Sequence, residues 1–169
     1  SLNNIGSIYM YQSNYSQAMD FFKRSLEIRE EISDKRGMAI TLNNLGNICI
    51  QQGIFDQAIT WCERGLQTSK DINILEEQKD ACDCLYEAFK ALGDGNKALE
   101  YHEQITIFDD SLQAEETAKK LQQMEFARQM MADSLLMEEE KLRVQIAHEA
   151  KMRKKNRAKN IFIVSAMFL

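Results

Sequence analysis

The segment Leu2-Asn3-Asn4-Ile5-Gly6 returns forty residues later as Leu42-Asn43-Asn44-Leu45-Gly46. At the same offset Gln17 falls on Gln57, Ala18 on Ala58 and Leu26 on Leu66, and one further step puts Gly53 on Gly93 and Ala58 on Ala98. A fixed period of this length confines the chain to repeat architectures, in which each unit buries its apolar face only against its neighbours. Within a unit the apolar residues recur at helical spacing. Ile40, Leu42, Leu45, Ile48 and Cys49 form one stripe, and Phe55, Ala58, Ile59, Cys62 and Leu66 form a second. Gly53 between them supplies a helix stop. The chain holds no proline, so no proline ring breaks a long helix.

Small residues stand where two helices must approach closely: Gly6, Ala18 and Ser25 in the first unit, Gly46, Ala58 and Gly65 in the second. The units read Ile5-Gly6, Tyr9, Tyr15, Ala18, Phe22, then Leu45-Gly46, Phe55, Ala58, then Leu85-Tyr86, Phe89, Gly93, Ala98, His102. This pattern resembles the tetratricopeptide-repeat (TPR) family, in the forty-residue variety rather than the usual period of about 34. The third unit departs from it, with Tyr86 in the glycine's place. The resemblance implies an all-α fold: a TPR α-solenoid of about three helical hairpins over residues 1–112, divided near 1–34, 35–74 and 75–112. Its structural residues are then Gly6, Ala18, Phe22, Gly46, Ala58, Gly93 and Ala98.

In a solenoid of hairpins the first helix of each pair lines the concave wall. The side chains expected there are Asn3, Ser7, Met10 and Tyr11, then Asn43, Asn47, Ile50 and Gln51, then Asp83, Glu87 and Lys90. A carboxamide both donates and accepts, so asparagines one repeat apart suit the main chain of an extended peptide. The resemblance implies the same use. The alternative is that Asn4 and Asn44 mark a helix face bonded to neighbouring helices. Paired cations are absent from the wall, which argues against a carboxylate-terminated ligand.

Residues 113–150 carry strong helix formers and read as a linker or coiled-coil helix. On a heptad template the seam is Leu121, Met124, Arg128, Met131, Leu135, Glu138, Leu142 and Gln145. Two readings stand: a parallel homodimer through 113–150, or a cap on the last repeat with the remainder solvated. Residues 151–160 form a basic run with Lys154, Lys155, Arg157 and Lys159, and residues 161–169 are almost wholly apolar. Nine apolar residues fall short of the roughly 20 that span a bilayer. A basic cluster against an apolar run nevertheless reads as the truncated start of a transmembrane helix, and both chain ends read as cut. That reading makes the protein single-pass membrane-bound.

The succession of repeats, charged helix, basic run and apolar segment resembles the sensor region of Bacteroidetes-type membrane receptors. Ala98-Leu99-Glu100-Tyr101-His102 and Asp110-Ser111-Leu112 look like their closing repeat, and Lys154 to Ile161 looks closer to their cyclase branch than to their histidine kinases. The resemblance implies exported, periplasmic repeats that bind a peptide or protein and relay the event to an effector. The basic run by itself favours a cytoplasmic side. A TPR adaptor without signal output is the alternative function.

A net charge of -5 argues against nucleic acid as partner. No Gly-rich phosphate loop or Ser/His/Asp arrangement occurs, so no catalytic residue and no cofactor is assigned. Cys49, Cys62, Cys82 and Cys84 form no CxxC pair and lie far in sequence from His102 and His148, so no metal site is expected.

Overall fold

The computed structural model describes the backbone of residues 1–167, with side chains through Ala158 and at Asn160. Among the described residues the secondary structure is six α-helices: α1 Leu2–Tyr11, α2 Tyr15–Glu31, α3 Lys35–Gln51, α4 Phe55–Asp71, α5 Leu75–Ala91 and α6 Gly95–Met167. From α3 onward each helix starts twenty residues after the one before it, so the forty-residue period is two helices and two turns.

The turns share one construction. Ser13, Ser33, Gly53, Asn73 and Gly93 all take positive φ, between 52° and 79°. At each, the residue that follows donates its N–H back five residues, as Ile54 does to the Cys49 carbonyl at 2.8 Å and Asp34 to that of Arg29 at 2.9 Å. This is the Schellman closure, which satisfies carbonyls that the helix end leaves open. Three of the turns then cap the next helix: the side chains of Asn14, Asp34 and Asp94 accept from the N–H of Gln17, Gly37 and Lys97. Ile54 and Ile74 hold the same place and make no side-chain cap.

Two compact units result, residues 1–116 and residues 117–169. In the first, α1 packs on α2, α2 on α3, α3 on α4 and α4 on α5, while α3 also meets α1 and α5. The core between the first two repeats is Ala18, Phe22, Leu26, Leu42, Leu45 and Ile48. The core of the third is Leu66, Ala81, Leu85, Phe89 and Ala98, closed by Tyr101, Ile105 and Phe108 from the start of α6. Phe89 and Tyr101 stack with ring centres 5.7 Å apart.

Close approach explains the glycines. A Cβ on Gly6 would lie 2.8 Å from the Phe22 ring, and one on Gly46 would collide with the sulfurs of Cys62 and Cys84. Those two cysteines are joined in a disulfide that links α4 to α5. Cys62 reads from sequence as a small apolar residue, and the structure makes it a crosslink as well. Cys49 and Cys82 are free and buried.

The second unit is helical throughout its described residues, with every described side chain exposed. One apolar stripe carries Leu121, Met124, Met131, Leu135 and Leu142, and a second on the opposite side carries Phe126, Met130, Met137 and Val144.

The membrane assignment is corrected. Among the described residues no helix is long and apolar enough to cross a membrane. The physical reason lies in the basic run: an 18-residue window ending at Met167 takes in Lys151, Arg153, Lys154, Lys155, Arg157 and Lys159. Charges at that density oppose insertion. The side chains of residues 161–169, and that of Lys159, lie outside the described residues, as does the backbone of Phe168 and Leu169.

Candidate peptide-binding groove

The first helices of the three hairpins, α1, α3 and α5, supply a shared wall. Two depressions adjoin on it. One, of about 380 Å³, is lined by Met10, Tyr11, Tyr15, Asn47 and Gln51. The other, of about 350 Å³, is lined by Asn47, Ile50, Gln51, Asp80, Asp83, Cys84 and Glu87. Asn47 and Gln51 border both, one helical turn apart on α3, and so make the depressions a single track.

Seven of the residues expected on the wall come together here: Met10, Tyr11, Asn47, Ile50, Gln51, Asp83 and Glu87. The other four are engaged elsewhere. Asn43 is corrected outright: it is 3% exposed, and its amide donates to the Glu77 carbonyl at 3.0 Å, so it ties α3 to α5 beneath the surface. Asn3 does the equivalent one repeat earlier, where its Oδ1 accepts from Thr41 Oγ1 at 3.3 Å and from Asn44 Nδ2 at 3.5 Å. The Ser7 hydroxyl donates back to the Asn3 carbonyl at 3.1 Å. Lys90 lies along its own helix, with its ammonium 5.0 Å from the Tyr86 ring centre and 3.8 Å from Glu87.

Three lining residues escape the sequence reading: Tyr15, Asp80 and Cys84. Asp80 carries a usable signal, because Asp80, Asp83 and Glu87 recur at helical spacing and put three carboxylates on one face of α5.

That face is electronegative. The Asp80 carboxyl is held above the usual carboxylate range, first by desolvation and then by Asp83, Glu76 and Glu77. Asp83 is raised likewise by desolvation, with Asp109 and Glu87 adding to it and Lys79 opposing. Lys79 is itself paired with Asp109 at 2.7 Å. Under the acidic wall sits the disulfide, since Cys84 lines the depression and Cys62 is its partner. The uncharged end at Met10, Tyr11 and Tyr15 gives way along the track to the carboxylates of α5, so the two ends would select different side chains.

Comparison with known proteins agrees with the fold of helical hairpins. Residues 1–71 match the family model described as tetratricopeptide repeat. No curated protein matches the chain. Among solved structures, BtubC (BKLC) from P. vanneervenii is similar at 20% identity and a TM-score of 0.60, over 66% of this chain and 46% of that one. The TPR domain of Arabidopsis FLU is similar at 21% identity and 0.58, over 67% and 92%. Nearly identical TPR-like repeats from Podosopora anserina are similar at 16% identity and 0.55, over 67% and 55%. The chain thus spans about half the length of the first and third.

The fold is a TPR-like solenoid of helical hairpins, a class whose general use is protein–protein interaction. These matches do not show the receptor resemblance read from the succession of segments and from residues 98–112 and 154–161.

Proposed function

We propose that the track across α1, α3 and α5 binds an extended segment of a protein partner, with a Lys or Arg of that segment against α5. One observation carries the reading: Asn47 and Gln51 border both depressions. Two carboxamides at the join can each donate to a carbonyl and accept from an N–H, which fixes an extended main chain without dictating its side chains. Asp80, Asp83 and Glu87 then favour a cation at one end through charge-assisted hydrogen bonds. Recruitment of this kind needs one groove in one state, as in an adaptor. A relay to an effector adds a second state of different affinity.

The test uses immobilised decapeptides, half ending in Lys or Arg and half in Asp or Glu. The cationic set is expected to be retained, and Asn47→Ala with Gln51→Ala to weaken it by about tenfold, the equivalent of ~1.4 kcal/mol. Asp80→Asn with Asp83→Asn should remove the preference for cations while leaving weak binding. Retention that ignores all four substitutions would place the ligand elsewhere.

A further inference from the structure

The apolar stripe of the second unit is interrupted twice by charge, at Arg128 and at Glu138. Both are exposed, and neither takes part in the ion pairs Arg143–Glu139 and Arg153–Glu149 of the same helix. Their placement is symmetrical. Arg128 lies five residues before Asp133 and Glu138 five after it. The apolar members follow the same rule: Met131 and Leu135 flank that centre at two residues, Met124 and Leu142 at nine. The outermost pair, Leu121 and Gln145, flanks it at twelve.

We propose that this face is an interface between two copies of the chain, and that the two helices run antiparallel about Asp133. In antiparallel two-stranded packing a first-type core position meets the partner's second-type position, and the heptad over 121–145 places these residues in such pairs. Met124 of one copy then packs on Leu142 of the other, and Met131 on Leu135. Arg128 faces the other copy's Glu138, twice by symmetry, as an isologous contact requires. The parallel, in-register alternative sets Arg128 against Arg128 and Glu138 against Glu138, placing like charges together where water is excluded. Screened pairs at the rim weigh less than that repulsion. The interruptions that make the seam look imperfect from sequence are therefore what fixes its direction, as a polar core residue fixes register in coiled coils.

The experiment is cysteine crosslinking in the full chain. Met124→Cys and Leu142→Cys are made separately, one of them isotopically labelled, then mixed and mildly oxidised. The native thiols are buried or already paired and stay out of the reaction. The mixed 124–142 dimer is expected to exceed either homodimer by at least about tenfold. Ready Met124→Cys homodimers would overturn the antiparallel arrangement, and a chain that sediments as monomer at all concentrations would overturn the interface. As an independent check, Arg128→Glu should weaken self-association by about tenfold or more, and adding Glu138→Arg should restore it. Indifference to both swaps also overturns the proposal. The helix face is exposed, so none of these substitutions disturbs a core.

Discussion

The Nε of Arg36 lies 2.9 Å from Oε1 of Glu77 and ties the start of α3 to the start of α5. The two ends of this contact differ. The Glu77 side chain is only 4% exposed, and its Oε2 is buried without a hydrogen-bond partner, whereas Arg36 is largely open to water. Glu77 also offers its backbone carbonyl to Asn43. Removal of Arg36 leaves a buried carboxylate uncompensated, which costs more than the pair itself contributes. Arg36→Ala should therefore lower Tm clearly more than Arg24→Ala, whose partner Asp20 is exposed. Adding Glu77→Gln to Arg36→Ala should recover part of the loss. Equal Tm values for the two arginine variants would show that the buried carboxylate is indifferent to its partner.

The disulfide joins residues 22 apart in sequence. Closing a loop of that size removes unfolded-state entropy worth about 3 kcal/mol. Urea unfolding with and without reductant should show that difference, and Cys62→Ala with Cys84→Ala should match the reduced protein. The remaining thiols should be inert in the folded state. Burial pushes Cys82 up to about 11 and raises Cys49 as well, so neither is a thiolate at neutral pH. Iodoacetamide and mass spectrometry should find no adducts on the native chain, two after unfolding and four after unfolding with reduction.

Left-handed backbone costs a residue with a Cβ roughly 1–2 kcal/mol, and glycine escapes that cost. Ser33 sits at φ 57° in a turn built like that of Gly53. Ser33→Gly should stabilise the chain by about 0.5–1 kcal/mol, the strain relieved being partly offset by a freer unfolded chain. Gly53→Ala should destabilise it by about 1 kcal/mol. Thermal unfolding measures both, and signs reversed from these would exclude the turn geometry as their cause.

The groove carboxyls set a pH dependence. Asp80 has a folded-state pKa above its ordinary value of 3.8, so the folded chain binds its proton more tightly than the unfolded chain does. Its contribution is most favourable below 3.8 and is lost as the pH rises through the raised folded value. Asp80→Asn should raise Tm relative to the parent at pH 7, and the advantage should vanish near pH 3. A gap that stays constant across this range would rule out titration of Asp80 as the source.

The repeat and its helices are legible because a forty-residue offset is unusual and because Gly53 and Gly93 mark two of the turns openly. Ser13, Ser33 and Asn73 do the same work without announcing it, since their conformation is imposed by the helices on either side. On the wall, Asn47, Ile50, Gln51, Asp83 and Glu87 follow from helix register alone. Asn43 does not, because register gives a side chain's direction but not what packs against it. Asn3 reaches forward to α3 and Asn43 to α5, so this position staples successive hairpins. Asp83, next in that series, can accept but not donate, and it faces the groove. The disulfide is invisible for a related reason: Cys62 and Cys84 obey no spacing rule and meet only once Gly46 lets α3 settle over them.

The even beat of the turns makes length in this solenoid a quantity that changes in whole steps. Duplicating forty residues between one positive-φ turn and the next but one would lengthen the groove by a repeat while every existing contact kept a counterpart. Deleting a single residue within α3 would instead rotate all that follows on that helix by about 100°, and would turn core positions toward water. Chains of this design can grow or shrink by duplication far more readily than they can absorb small insertions within a helix.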